Sequence, residues 1–461
     1  MKYILIITFF LFSFNQSIAQ TIFKTTSNDR EAVQIVIYNQ NFALVKEIRR
    51  LRIPIGEYDL KIEGIPNKIE PESIVIESIS SPQYFKIFSL NYHYNLITPK
   101  NLLKKYIGKP IKVYFENPYT KQRELVEAIL LNSKEDIVCS INGEIYMPCP
   151  GQLILPKLPD EFFPNPTLLC HISNNEEQEQ LIQLSYITQN MNWQTNYVLI
   201  LTEKKKGNLI SWITINNESG ATFHHAQVIL IAGEIHKVQA PLLYRKTFKE
   251  EKIEEKPFFE YHLYTLPYPL ELENKQKKQV QFLKKEDILI EEKFIYRGSS
   301  YYYRSYYDVP ITRDKIQVYL ETVNDSKHNL GIPFPPGKVR VYQRNIEGNL
   351  IFIGEDKIGP IPIKEKIKLN MGIAFDITAT RRQIIYRRLT SNTYEIGWEI
   401  TFNNNKETSV EITVLEEVPG DWKVVNASVP YQKISAHELQ FLITVPPGSK
   451  EKLNYLVRVR D

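Results

Sequence analysis

The chain has 461 residues, 43% apolar and 24% charged, with 28 Tyr, 22 Phe, only 4 Met and a formal net charge of +4. That length holds roughly two to four domains, each with its own core. So small a net charge argues against nucleic-acid binding, where a concentrated basic face is expected.

The first residues, MKYILIITFFLFSFNQSIAQ, have the parts of a secretory signal. Lys2 is the positive start, residues 3–14 are an apolar run, and Ser17-Ile18-Ala19 is a small-x-small cleavage site. The signal is assigned to residues 1–19, with Gln20 as the new N-terminus. Its apolar run is shorter than the roughly 20 residues of a membrane-spanning helix. No later stretch approaches that length, so the mature chain is expected to be exported, to the periplasm, cell surface or medium, without a transmembrane segment.

Residues 20–165 read as an N-terminal β domain. Strands are expected at 33–38, 43–53, 58–62 and 74–79, from their apolar periodicity and the turn residues between them. Thr98-Pro99 opens a short helix, with an N-cap and Pro at the first helical position, and Gly108 stops it. Short strands at 111–115, 124–131, 136–141 and 144–147 fit a small SH3-like barrel or hairpin insertion at about 96–160. Asn142-Gly143 is a two-residue hairpin turn. Its register sets Cys139 opposite Tyr146 and away from Cys149. Cys139, Cys149 and Cys170 are an odd set, so at least one is free or pairs between chains, and buried single thiols are the expectation.

Residues 166–380 read as a central β-sandwich. Its clearest part is 181–238, four strand-like runs separated by turns at 189–192, 204–208 and 216–220, read as an antiparallel core. The mixed-charge run 245–256 reads as a solvated linker, because its signs cancel. From Gln383 onward the alternation is sharpest: Tyr394, Ile396, Trp398, Ile400 and Phe402 share one face. Residues 381–461 are therefore assigned to an immunoglobulin-like C-terminal sandwich. The fold class is all-β: several antiparallel sandwiches with a small barrel insertion.

Several segments together resemble an exported bacterial domain-of-unknown-function family related to the mucoidy-inhibitor-like proteins. They are Val36-Ile37-Tyr38-Asn39-Gln40-Asn41, Glu70-Pro71-Glu72-Ser73, Asn192-Trp193-Gln194-Thr195-Asn196-Tyr197, Asn217-Glu218-Ser219-Gly220-Ala221, Tyr264-Thr265-Leu266-Pro267 and Pro335-Pro336-Gly337-Lys338-Val339. The mucoidy-inhibitor-like members carry a coiled coil between the N-terminal strands and the conserved domain; here the barrel-like segment takes that place. The resemblance implies an exported β-rich protein and supplies no catalytic residues.

One set of residues has metal-ligand chemistry: His224, His225, Glu234 and His236. A strand over 227–232 separates the first pair from the second by roughly 30 Å at about 3.3 Å per residue, whereas one ion needs ligands at about 2.0–2.2 Å. These are read as surface histidines. No G-x-S-x-G elbow, cysteine-protease signature or phosphate loop is present. No catalytic residue, cofactor or metal is assigned. The unusual polar-aromatic run is Tyr301-Tyr302-Tyr303-Arg304-Ser305-Tyr306-Tyr307, within the irregular segment 297–308. Tyrosine combines contact area, a hydroxyl and a low ordering cost, as binding loops need. All five tyrosines are expected on a solvent-facing loop that contacts a partner. The function expected is a non-enzymatic binding or structural module of the cell envelope, with an unknown protein or glycan as partner. An exported hydrolase with an unrecognised site is the alternative.

Overall fold

The computed structural model describes residues 22–460 apart from 94–96, 117–119, 135, 160–164, 203–204, 234–253 and 259–260. The expected signal, 1–19, and most of the mixed-charge run 245–256 lie outside the described residues. The protein is 64% strand and 5% helix. Among the described residues, no helix is long and apolar enough to cross a membrane.

The chain forms two units that interleave in sequence: Met1–Asn192 with Asn216–Lys277, and Trp193–Ile215 with Lys278–Asp461.

In the first unit the largest sheet is built on Arg30–Tyr38 and Phe42–Arg52, which pair antiparallel across the turn at Asn41. Glu179–Gln189 adds antiparallel to Phe42–Arg52, and Phe223–Ala232 adds parallel to Arg30–Tyr38. Alternation buries Ile35, Ile37, Val45 and Leu51, and it also buries Glu47 and Arg49 on the same stripe. Burying a charge is tolerated only when it is paired. Glu47 receives Arg49 Nη2 at 2.9 Å and also takes Arg30 Nε. A second sheet, Ile22–Thr25, Gly56–Ile62, Thr167–Asn174 and Phe85–His93, carries the buried thiol of Cys170.

The third sheet of this unit has the order Glu144–Tyr146, Val138–Ile141, Arg123–Asn132, Pro110–Glu116, Gln152–Ile154. One face packs Ile111, Val113, Ala128, Leu130 and Ile141 together with Tyr106 of the helix Pro99–Tyr106. That helix starts as its sequence dictates, with the Thr98 side chain accepting from the Asn101 backbone N–H. Cys139 does pair in register with Tyr146, yet the expectation of single thiols fails. Cys139 and Cys149 form a disulfide, with Cα atoms 5.3 Å apart. Beyond Tyr146 the chain doubles back, and the Cys149 N–H donates to the Ile137 carbonyl at 2.6 Å. Proximity thus comes from the return of the chain, which hairpin register does not report.

In the second unit, Met191–Leu201 and Lys206–Asn217 share a sheet with Gln276–Leu289, Gly337–Arg344 and Leu350–Ile358. The four runs within 181–238 are strands, as periodicity predicts, but they do not make one antiparallel core. The first and last join the large sheet of the first unit, and the middle two join this one. Two of the four have parallel partners: Met191–Leu201 beside Gly337–Arg344, and Phe223–Ala232 beside Arg30–Tyr38. The sheets are therefore mixed. Alternation fixes which side chains turn inward and carries no information about which distant strand lies alongside.

The C-terminal sandwich packs a six-stranded sheet, Lys366–Ile373, Ile316–Val323, Glu291–Gly298, Val410–Glu417, Glu438–Val445 and Tyr431–Lys433, against a five-stranded one. The latter runs Ile311–Asp314, Ile377–Arg388, Thr393–Asn404, Lys450–Arg460, Asp421–Ala427. Several of its strands start well before residue 381. Its core holds Ile396, Trp398, Ile400 and Phe402 with no exposed surface, as the alternation from Tyr394 predicts. Tyr394 itself, at the end of the face, is half-buried.

Candidate functional site: the tyrosine segment and the charge beneath it

The strand Glu291–Gly298 continues directly into the aromatic run, which begins as a short 3-10 turn, Ser300–Tyr303. The Tyr302 N–H donates to Ser299 O and the Arg304 N–H to Tyr301 O, closing that turn. Three residues per turn send neighbouring side chains in different directions, so the five tyrosines separate. Tyr302 and Tyr303 are only 5% and 3% exposed, and Tyr301 and Tyr306 are 51% and 64% exposed. Tyr307 is half-buried, its ring 5.8 Å from that of Trp398. The expectation of five solvent-facing tyrosines is corrected for Tyr302 and Tyr303, which are core residues. Each has a buried group to satisfy, and a run without period gives no sign of that.

Tyr303 donates its hydroxyl to Glu416 Oε2 at 2.8 Å and lies 2.9 Å from the Tyr455 hydroxyl. Glu416 is held by Arg381 through two parallel bonds, Nη1 to Oε1 at 2.6 Å and Nη2 to Oε2 at 3.0 Å, and Arg381 Nη2 also donates to Tyr455 at 2.9 Å. This fork-to-carboxylate geometry is the strong form of the pair. The guanidinium carbon sits 4.4 Å from the Tyr302 ring centroid and 4.1 Å from that of Trp398, so the cation lies in the corner formed by two aromatic rings that meet edge to face. Gly298 makes room for the carboxylate: a Cβ there would lie 2.1 Å from Glu416 Oε2. Burial pushes the Tyr303 and Tyr455 hydroxyls well above the usual phenol range. With both side chains of the ion pair closed to solvent, the cluster pins the segment and offers nothing to a solute.

The outward half of the segment is tied down as well. The Tyr307 N–H donates to Gln383 Oε1 at 2.9 Å, and Gln383 Nε2 donates to Ser305 O at 3.1 Å. Tyr306 then lies 6.3 Å from Tyr386, which stacks on Tyr394 at 5.8 Å with 29° between the rings. Arg388 lies 5.9 Å from the Tyr394 ring. The surface result is an aromatic row, Tyr306, Tyr386 and Tyr394, ending in a guanidinium.

The sequence held a signal for the buried cluster. Arg381 continues the inward positions Ile377 and Ala379, and Glu416 continues Val410, Ile412 and Val414. Two opposite charges on core-facing positions of two strands of one domain must find each other.

The histidine candidates fall elsewhere. Opposite Glu271 the strand Phe223–Ala232 bulges, and His225 takes φ +50°. Consecutive side chains therefore reach one carboxylate, His224 Nδ1 at 2.6 Å and His225 Nδ1 at 3.1 Å. The His225 backbone N–H and then His224 hold the Glu271 carboxyl below the usual carboxylate range. Glu234 and His236 lie outside the described residues. Among the described residues, no group of three or more His, Cys, Asp or Glu could hold a metal ion. A small cavity of about 40 Å³ within the second unit is lined by apolar residues such as Leu209, Ile288, Leu320 and Phe334, far below the roughly 300 Å³ of an ordinary ligand pocket. No family model matches the chain, and no curated protein matches it either.

Proposed function

We propose that the chain is an exported, non-enzymatic β-sandwich protein of the cell envelope that binds a protein or glycan through the outward side of its tyrosine segment. The observation that carries this reading is the division of labour within the segment. Tyr302 and Tyr303 are anchored in the core and fix the turn that carries Tyr301 outward, while Gln383 ties the backbone on both sides of the exposed Tyr306. A contact surface that is rigid before binding loses less entropy on binding. The signal-like N-terminus supports export, and so does a disulfide, which persists in oxidising compartments. On this reading the five-stranded sheet of the first unit is an SH3-like insertion and the C-terminal sandwich is immunoglobulin-like, with ligands met at loops between rigid strands.

The test uses the mature chain from Gln20 as bait in solubilised native envelope and on a glycan array, beside the Tyr301→Ser/Tyr306→Ser variant. The variant should melt with the parent and lose what the parent captures. Capture unchanged by the double substitution would place the binding surface elsewhere.

A further inference from the structure

The five-stranded sheet of the first unit has a second face, opposite its packed one, and that face is apolar too. Tyr114, Leu125, Ile129, Ile145 and Ile154 project from it, with Leu125 55% and Ile145 69% exposed. Cross-strand register gives its two longest strands an ordered set of pairs: Pro110 opposite Ile129, Lys112 opposite Glu127, Tyr114 opposite Leu125 and Glu116 opposite Arg123. All these outward residues are exposed. Both charged pairs join opposite signs, so the face is neutral. Among the described residues, no ion pair engages Lys112, Glu116, Arg123 or Glu127.

We propose that this face is the contact surface of a homodimer, two copies packing sheet on sheet about a twofold axis parallel to Pro110–Glu116 and Arg123–Asn132 and running between them. That axis sets each residue of one strand over the copy of its own cross-strand neighbour. Lys112 meets Glu127 of the other copy, Glu116 meets Arg123, Tyr114 meets Leu125, and Pro110 meets Ile129. Every one of these contacts is of like with like in polarity and opposite in charge, and each occurs twice, which is the condition for an isologous interface. Aligned packing of twisted sheets at about −30° keeps the two middle meetings, Lys112 with Glu127 and Tyr114 with Leu125, and spreads those at the strand ends. Five strands about 4.8 Å apart span roughly 20 Å, with the longer strands of similar or greater length; a face of about 400–500 Å² lies below the 800 Å² or so per partner of a standard interface, as suits a reversible dimer and not a permanent one. An anionic bilayer is disfavoured as occupant, because the face carries as many acids as bases.

Sedimentation of the mature chain from about 1 µM to about 100 µM, the range in which interfaces of modest area associate, should show a monomer–dimer equilibrium. Leu125→Glu should hold it at the monomer mass with unchanged thermal unfolding, and Leu125→Ile should retain the dimer. Lys112→Glu alone sets Glu over Glu127, and Glu127→Lys alone sets Lys over Lys112, so each should weaken self-association at least tenfold. Mixing these two variants in equal amounts should restore the dimer, since every cross-axis pair is then again opposite in sign. A chain that stays monomeric at all concentrations overturns the proposal. So does a dimer indifferent to Leu125→Glu, or a mixture that fails to recover.

Discussion

Arg381 and Glu416 face each other across the interior of the C-terminal sandwich, joined at 2.6 Å and 3.0 Å with neither side chain reaching water. Desolvating both charges costs several kcal/mol per ion, which the forked contact and the flanking hydroxyls of Tyr303 and Tyr455 offset. Removing one partner strands the other. Arg381→Met or Glu416→Leu alone should lower stability by about 3–5 kcal/mol, and the double substitution by much less than the sum. Denaturant unfolding of the four proteins in the cycle measures this; additive losses would mean that the two charges do not depend on each other.

Gly298→Ala should be destabilising although it adds a single methyl group. The new carbon would stand 2.1 Å from a carboxylate oxygen that Arg381 and Tyr303 hold in place. The displacement should cost about 1–3 kcal/mol, as overpacking of a filled core does. A melting temperature equal to the parent's would show that the carboxylate is free to move aside.

Alkaline pH should unfold the protein cooperatively. Burial holds the hydroxyls of Tyr186, Tyr303 and Tyr455 well above the phenol range. Above the unfolded phenol value near 10, the unfolded chain gives up these protons and the folded chain keeps them. Their contribution to stability is therefore complete below about pH 10 and falls as pH rises further. Phenolate absorbance should rise in two stages, exposed tyrosines first and these three together with the loss of circular dichroism. A single smooth titration with the fold intact would contradict their burial.

Thiol counting should separate three states. Native protein should give no reaction, because Cys139 and Cys149 are joined and burial pushes the Cys170 thiol up to about 12. Unfolding without reductant should release one thiol, and reduction of the unfolded chain should bring the total to three. Three thiols before reduction would rule out the disulfide.

Local features were legible where a single residue or a short period decides them. Thr98 caps its helix, Asn142 and Gly143 make their hairpin with positive φ, and Trp398 is buried because it alternates with polar neighbours. What could not be read depends on partners far along the chain. Tyr303 looks like any tyrosine in a polar run until Glu416, 113 residues later, is placed beneath it. Met191–Leu201 and Glu179–Gln189 look like a hairpin, and their neighbours turn out to be Gly337–Arg344 and Phe42–Arg52. Alternation names the buried face, and strand partners are settled by long-range pairing that leaves no local mark.

The parallel pairing of Arg30–Tyr38 with Phe223–Ala232 has a consequence for synthesis. Arg30 donates to the Thr222 carbonyl, 192 residues downstream. At about 5–20 residues per second, that delay lasts roughly 10–40 s. Throughout it, one edge of an apolar strand near the N-terminus has no neighbour and could capture another nascent chain. Escort of this stretch during synthesis should therefore raise the yield of native protein more than escort of any strand whose partners lie close by in sequence.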